Sequence, residues 1–182
     1  MSEARSRLLG TASGLFYAEG LHSVGIDRIV AEAHVTRATL YRHFPSKDDL
    51  VVAYLRQADE AIRAQVEAAR TEGSAPADVV RAVARSIAGD IQTSGFRGCA
   101  FLNAAAEYPD PAHPVHKAVL THRNWFLSTI TELLAATGTT DPEPAARHFV
   151  MLRDGAMAAG CLTDPAPIAE TFLLGVESLL KD

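Results

Sequence analysis

Apolar positions recur at three- and four-residue spacing along nearly the whole chain, and no stretch alternates with the two-residue period of a strand. The expected fold class is therefore all-α. Cap and turn signals divide the sequence into about nine helices. The first spans about Glu3 to Ala18, with Leu8, Ala12, Leu15 and Phe16 on one stripe and Gly20 as its stop. Two short helices follow, at about Ile26–Ala33 and Arg37–His43. Phe44-Pro45 closes the third, because the residue before a proline avoids helical angles. Ser46, with Asp49 three residues on, caps a long fourth helix expected to end near Gly73, with Leu50, Tyr54, Ala58, Ile62 and Val66 as its stripe. Further helices are expected from Pro76 to about Thr93, Ala100 to Tyr108, Val115 to Ala136, Pro142 to about Cys161, and Pro165 to the end. The rigid run Pro109-Asp110-Pro111-Ala112-His113-Pro114 links the sixth and seventh. This reading gives a head over residues 1–45 and a helical body over 46–182.

The head holds the most informative pattern. Ile29 and Ala33 share one face of the second helix, Val35 fills a corner, and Leu40 and Phe44 continue the apolar face on the third. Two helices of about two turns each are too short to stand alone, so they must pack as a tri-helical unit on the first. The outer face of the third helix carries Arg37, Ala38, Tyr41 and Arg42, opposite Leu40 and Phe44. Thr36 is a good N-cap, and a helix N-terminus favours phosphate. Ala38 lets backbone approach a base edge, and Arg37 and Arg42 can each grip a guanine with two hydrogen bonds. Tyr41, His43 and Lys47 can hydrogen-bond phosphates, which set register but not sequence. A recognition helix in a major groove needs this mixture. On a generic helix pair the same face would more often be a polar surface in contact with solvent.

The stretch from Leu8 to Lys47 resembles the N-terminal domain of TetR-family transcriptional regulators. It carries Leu15-Phe16 and Gly20, then Ile29, Val35, Thr39-Leu40-Tyr41, His43-Phe44-Pro45-Ser46-Lys47 and Leu50 at the family's spacing. The resemblance implies DNA contacts from Thr36, Arg37, Ala38, Thr39, Tyr41, Arg42, His43 and Lys47. Two positions depart from the pattern. Val24 stands where the family often has Thr, so a side-chain phosphate contact is lost there and the backbone N–H of Gly25 or Ile26 is left to replace it. His34 stands where the family usually has Gly at the tight turn, which predicts a histidine in the left-handed region or one aimed at phosphate.

The resemblance also implies a C-terminal ligand-binding and dimerisation domain. Gly155, Ala156 and Ala159 in the eighth helix, with Phe172, Leu173, Val176 and Leu180 in the ninth, are the expected face of a four-helix homodimer interface. Phe101, Asn103, Glu107, His122, Trp125, Phe126, Met151 and Met157 are the expected walls of a pocket for a small, largely apolar effector. The implied function is a ligand-responsive regulator, a repressor that leaves a palindromic operator in double-stranded DNA when effector binds. The alternative is a constitutive helix-turn-helix protein without an effector.

Composition narrows the picture. The formal charge is −5, which excludes a surface that clings to nucleic acid throughout. Residues 1–56 hold seven basic and six acidic side chains and the remainder ten and sixteen, so only the head is near-neutral. No window reaches the roughly 18 uncharged apolar residues of a membrane span, and the N-terminus lacks a signal-peptide core. The expected compartment is the cytoplasm. Cys99 and Cys161 are expected to be free and buried. His113, His116 and His122 lack a completing carboxylate or thiol, and no spacing orients a base on Cys99 or His122. No metal, cofactor or catalytic residue is expected.

Overall fold

The computed structural model describes residues 2–70 and 74–181. Among these residues the chain is all-α, with nine helices: α1 Glu3–Glu19, α2 Ile26–Glu32, α3 Arg37–His43, α4 Lys47–Ala69, α5 Pro76–Ile91, α6 Ala100–Glu107, α7 Pro114–Ala136, α8 Pro142–Ala159 and α9 Pro165–Leu179. Local chemistry explains the ends. Ser2 Oγ caps α1 by accepting from Arg5 N at 3.3 Å, and Ser46 Oγ accepts from Asp49 N at 3.0 Å ahead of α4. Prolines open α5, α8 and α9 in the first turn, where a missing N–H costs nothing. α4 ends at Ala69, earlier than the expected end near Gly73, which lies outside the described residues.

The chain forms two compact units, residues 1–60 with 100–120 and residues 61–99 with 121–182. The first unit therefore reaches past the boundary expected at residue 45 and takes in α6 and the start of α7. Within it α1, α2 and α3 pack pairwise. Leu8, Phe16, Ile29, Leu40, Leu50 and Phe101 are buried there, and the rings of Phe16 and Tyr54 lie 5.9 Å apart.

In the second unit α5, α8 and α9 pack on one another. Phe149 sits at the centre, its ring 6.3 Å from Phe126 and 5.8 Å edge-on from Phe172. The Arg81 guanidinium spans from α5 to α9 with two bonds to Glu177, at 2.7 and 3.1 Å. Cys99 is buried, but Cys161 is exposed, contrary to the expectation that both thiols are inside. Cys161 falls just past α8, where its thiol donates to Met157 O at 3.4 Å.

Candidate nucleic-acid interface

The α2–α3 corner is built by a two-bond helix end. Val35 N donates to Val30 O at 3.0 Å and His34 N to Ala31 O at 3.2 Å. That pairing is the Schellman closure, which needs a left-handed residue between the helices. His34 supplies it with φ 52°, the one positive φ outside glycine among the described residues. The strained histidine anticipated from the sequence is therefore present, and its side chain is exposed.

From this corner α3 starts at the residue expected. Thr36 Oγ1 accepts from Thr39 N at 3.1 Å, and Phe44 ends the helix in extended conformation. Leu40 and Phe44 point inward, while Thr36, Arg37, Ala38, Tyr41 and Arg42 are exposed on one face. Thr39 and His43 are half-buried at its edges, and His43 Nε2 lies 3.3 Å from Ser2 Oγ.

Two electrostatic ties on this surface were not legible in the sequence. Arg37 forks onto Asp27 of α2, with Nε 2.6 Å from Oδ1, and that partner holds the guanidinium above its ordinary pKa. Lys47 donates to His22 O at 3.3 Å. Partial burial pushes its ammonium down, while the charges of Glu107 and Asp48 pull it back up.

The α2 N-terminus also differs in detail from the sequence reading. Val24 is only 1% exposed, so a hydroxyl there would face the interior. The open position is Gly25, the N-cap of α2, which offers backbone but no side-chain bond.

The expected pocket residues scatter. Phe101 is buried in the first unit, while Asn103 is exposed. Glu107 is committed: its carboxylate accepts from Leu21 N at 2.8 Å and His22 N at 2.6 Å. In the second unit His122, Phe126 and Met157 are buried, with the His122 ring stacked 6.2 Å from Phe126. Arg63 lies 4.0 Å over the Trp125 ring, beside a groove of about 520 Å³ also lined by Val66, Thr129 and Glu132. Met151 is not an inner wall. It is 72% exposed and lines an apolar groove of about 390 Å³ with Gly155, Ala156, Ala159, Ile168 and Phe172. Of the expected interface residues, Phe172 and Val176 are buried within their own chain, whereas Leu173 and Leu180 are partly exposed.

Among the described residues no three His, Cys, Asp or Glu side chains are placed to hold a metal ion, and no helix is long and apolar enough to cross a membrane.

Residues 8–54, covering most of α1, all of α2 and α3 and the start of α4, match the family model described as bacterial regulatory proteins, tetR family. A crystal structure of a TetR-family transcriptional regulator from Streptomyces coelicolor is 70% identical, covers 100% of this chain and 96% of that one, and superposes with a TM-score of 0.96. The chain belongs to the TetR family. It is a DNA-binding transcriptional regulator, not an enzyme. Among curated TetR-family relatives, the HTH-type transcriptional regulator LmrA of Bacillus subtilis is 24% identical over 99% of this chain and 96% of its own. The HTH-type transcriptional activator FasR of Mycolicibacterium smegmatis is 40% identical over 38% of this chain and 32% of its own.

Proposed function

We propose that this TetR-family chain works as a homodimeric, ligand-responsive repressor. Two copies of α3 enter successive major grooves of a palindromic operator, about one helical turn apart. The observation that carries this reading is the exposed α3 face. Arg42 reads a base edge, Ala38 allows close approach, and Thr36, Tyr41, His43 and Lys47 hold phosphates. Arg37 exchanges Asp27 for DNA or stays to orient α2, and Gly25 offers its backbone. The apolar groove along α8 and α9, where Met151 is 72% exposed, supports pairing with a second copy, and so does Leu174, 63% exposed elsewhere on α9.

The effector site proposed is in the second unit, on α7 and α8 around His122, Trp125, Phe126 and Met157. The neighbouring groove mixes Trp125 and Val66 with Arg63 and Glu132. That lining suits an apolar molecule with a polar handle better than a purely apolar one.

The test is linkage. Compounds that raise the melting temperature of the free protein are found by thermal shift, since ligand binding to the native state stabilises by mass action. Their affinity is then measured with and without bound operator. Weaker binding to the operator complex supports an effector that releases DNA. Equal affinities would remove the ligand response and leave a constitutive DNA-binding protein.

A further inference from the structure

We propose that Glu107, at the C-terminal end of α6, is a positioning residue for DNA binding: it holds the α1–α2 turn, and through it Lys47 and the α2 N-terminus, in place for phosphate. The proposal rests on reading the α2–α3 surface as the DNA face, and it adds a residue far along the chain from that surface's motif.

The geometry is specific. Gly20, at φ 97°, turns the chain so that the next two amides point the same way. Consecutive N–H groups in such a turn form a nest for an anion. Here the anion is internal: Glu107 Oε1 takes Leu21 N at 2.8 Å and Oε2 takes His22 N at 2.6 Å. A third bond runs the other way, from His22 Nε2 to the Glu107 carbonyl at 2.8 Å. A Cβ added at Gly20 would meet Glu107 Oε1 at 3.4 Å, an ordinary contact, so it is the positive φ that calls for glycine there.

The next residue extends the clasp. The Tyr108 ring lies 4.5 Å from His22 and 4.7 Å from His113, and its hydroxyl donates to Asp48 Oδ1 at 3.3 Å. His113 Nε2 sits 3.3 Å from Asp48 Oδ2. Burial, with the Asp48 charge adding to it, pushes the Tyr108 phenol up to about 12, so it stays a donor at any physiological pH.

The consequence for DNA follows from what the clasp touches. The α2 N-cap, Gly25, has no side-chain bond of its own, so the turn before it is fixed from elsewhere. Lys47 reaches the same turn through His22 O and feels the Glu107 charge. Both are backbone-type contacts, which set affinity and not sequence preference. Base reading by Arg42 on α3 is not part of the clasp.

The experiment uses the full-length chain and two probes: duplexes recovered by selection from random-sequence double-stranded DNA, and an unselected random duplex. Binding is measured well below the melting temperature, across a salt series. For Glu107→Ala, affinity for both probes should fall about tenfold, with the ratio between them unchanged. The slope of log affinity against log salt should shrink by about 1.8, the value for one lost phosphate contact on each of the two chains. Glu107→Gln keeps one oxygen acceptor and should fall between wild type and Glu107→Ala, which preserves the test if Glu107→Ala folds poorly. The Leu21 and His22 amides should exchange slowly in wild type and faster in both variants. A purely structural role would lower the melting temperature without changing the salt slope of the folded protein. Wild-type affinity and slope in both variants, tighter binding, or a changed ratio between probes would overturn the proposal. If wild type itself shows no preference for the selected duplexes, the reading of the DNA face fails instead.

Discussion

His34→Gly should stabilise this protein, and the size of the gain can be worked from the backbone. His34 occupies the left-handed position that closes α2, at φ 52°. For a residue with a Cβ that conformation costs roughly 1–2 kcal/mol. Glycine removes the cost but loses about 0.5–1 kcal/mol through its freer unfolded chain. The exposed imidazole takes little packing with it. The net gain is about 0.5–1 kcal/mol, with both closing bonds, Val35 N to Val30 O and His34 N to Ala31 O, retained. At this chain length it corresponds to a rise of about 2 °C in melting temperature. Thermal and denaturant melts of wild type, His34→Gly and His34→Ala would measure it. His34→Ala keeps the Cβ and should gain nothing. A loss of stability in His34→Gly, or an equal gain in His34→Ala, would refute the argument, because either result would place the effect in the side chain. The same variants separate two roles at the DNA surface. Unchanged operator affinity makes His34 a turn residue, whereas a several-fold loss in both would make its ring a phosphate contact.

Other outcomes follow from the second unit. Arg153 is 5% exposed and its Nε has no hydrogen-bond partner, while Asp154 keeps Arg123 Nη2 at 2.7 Å when Arg153 is lost, so Arg153→Met should cost less than the loss of Asp154. Asp154→Ala, which strips the partner from Arg153 Nη1 at 2.9 Å and Arg123 Nη2 at 2.7 Å, should cost about 3 kcal/mol in chemical denaturation. Burial raises the carboxyl pKa of Asp90, outweighing the pull of Arg153. A raised acid binds protons more tightly when folded, so its ionisation costs stability as pH climbs past the ordinary aspartate value. Asp90→Asn should therefore raise the melting temperature at pH 7, and the gain should vanish below about pH 4. Met151→Glu with Thr171→Glu places charge on the α8–α9 groove and should yield monomers in sedimentation, with operator affinity lost; an unaltered dimer would put the interface elsewhere.

Much of the fold was legible because its signals are local. Thr36 as a cap and Phe44-Pro45 as a stop directly flank α3, and the helix has the bounds they dictate. The proline at the start of α5, α8 and α9 works the same way. His34 was legible through the resemblance, because it stands where the family usually has Gly at the tight turn. The remainder depends on tertiary placement. Whether Val24 faces phosphate or core is decided by the turn before α2, not by its neighbours in sequence. Asp27 and Arg37 sit ten residues apart across a corner whose angle no periodicity encodes. Glu107 was expected among pocket walls because it lies on a largely apolar helix, yet its partners are backbone amides 85 and 86 residues away. Met151 shares the exposed α8–α9 groove with Gly155, Ala156 and Ala159 instead of an inner pocket, a facing that only packing against α9 fixes.

The central claim is that a pair of α3 helices reads DNA. Selection of random-sequence duplexes on the purified protein, followed by a stoichiometry measurement on the recovered sites, tests it most directly. The account predicts palindromic sites with half-site centres about 10 base pairs apart, two chains per duplex, and loss of the selected preference in Arg42→Ala. Recovered sequences without a common motif, or a preference that survives Arg42→Ala and Tyr41→Ala together, would contradict it.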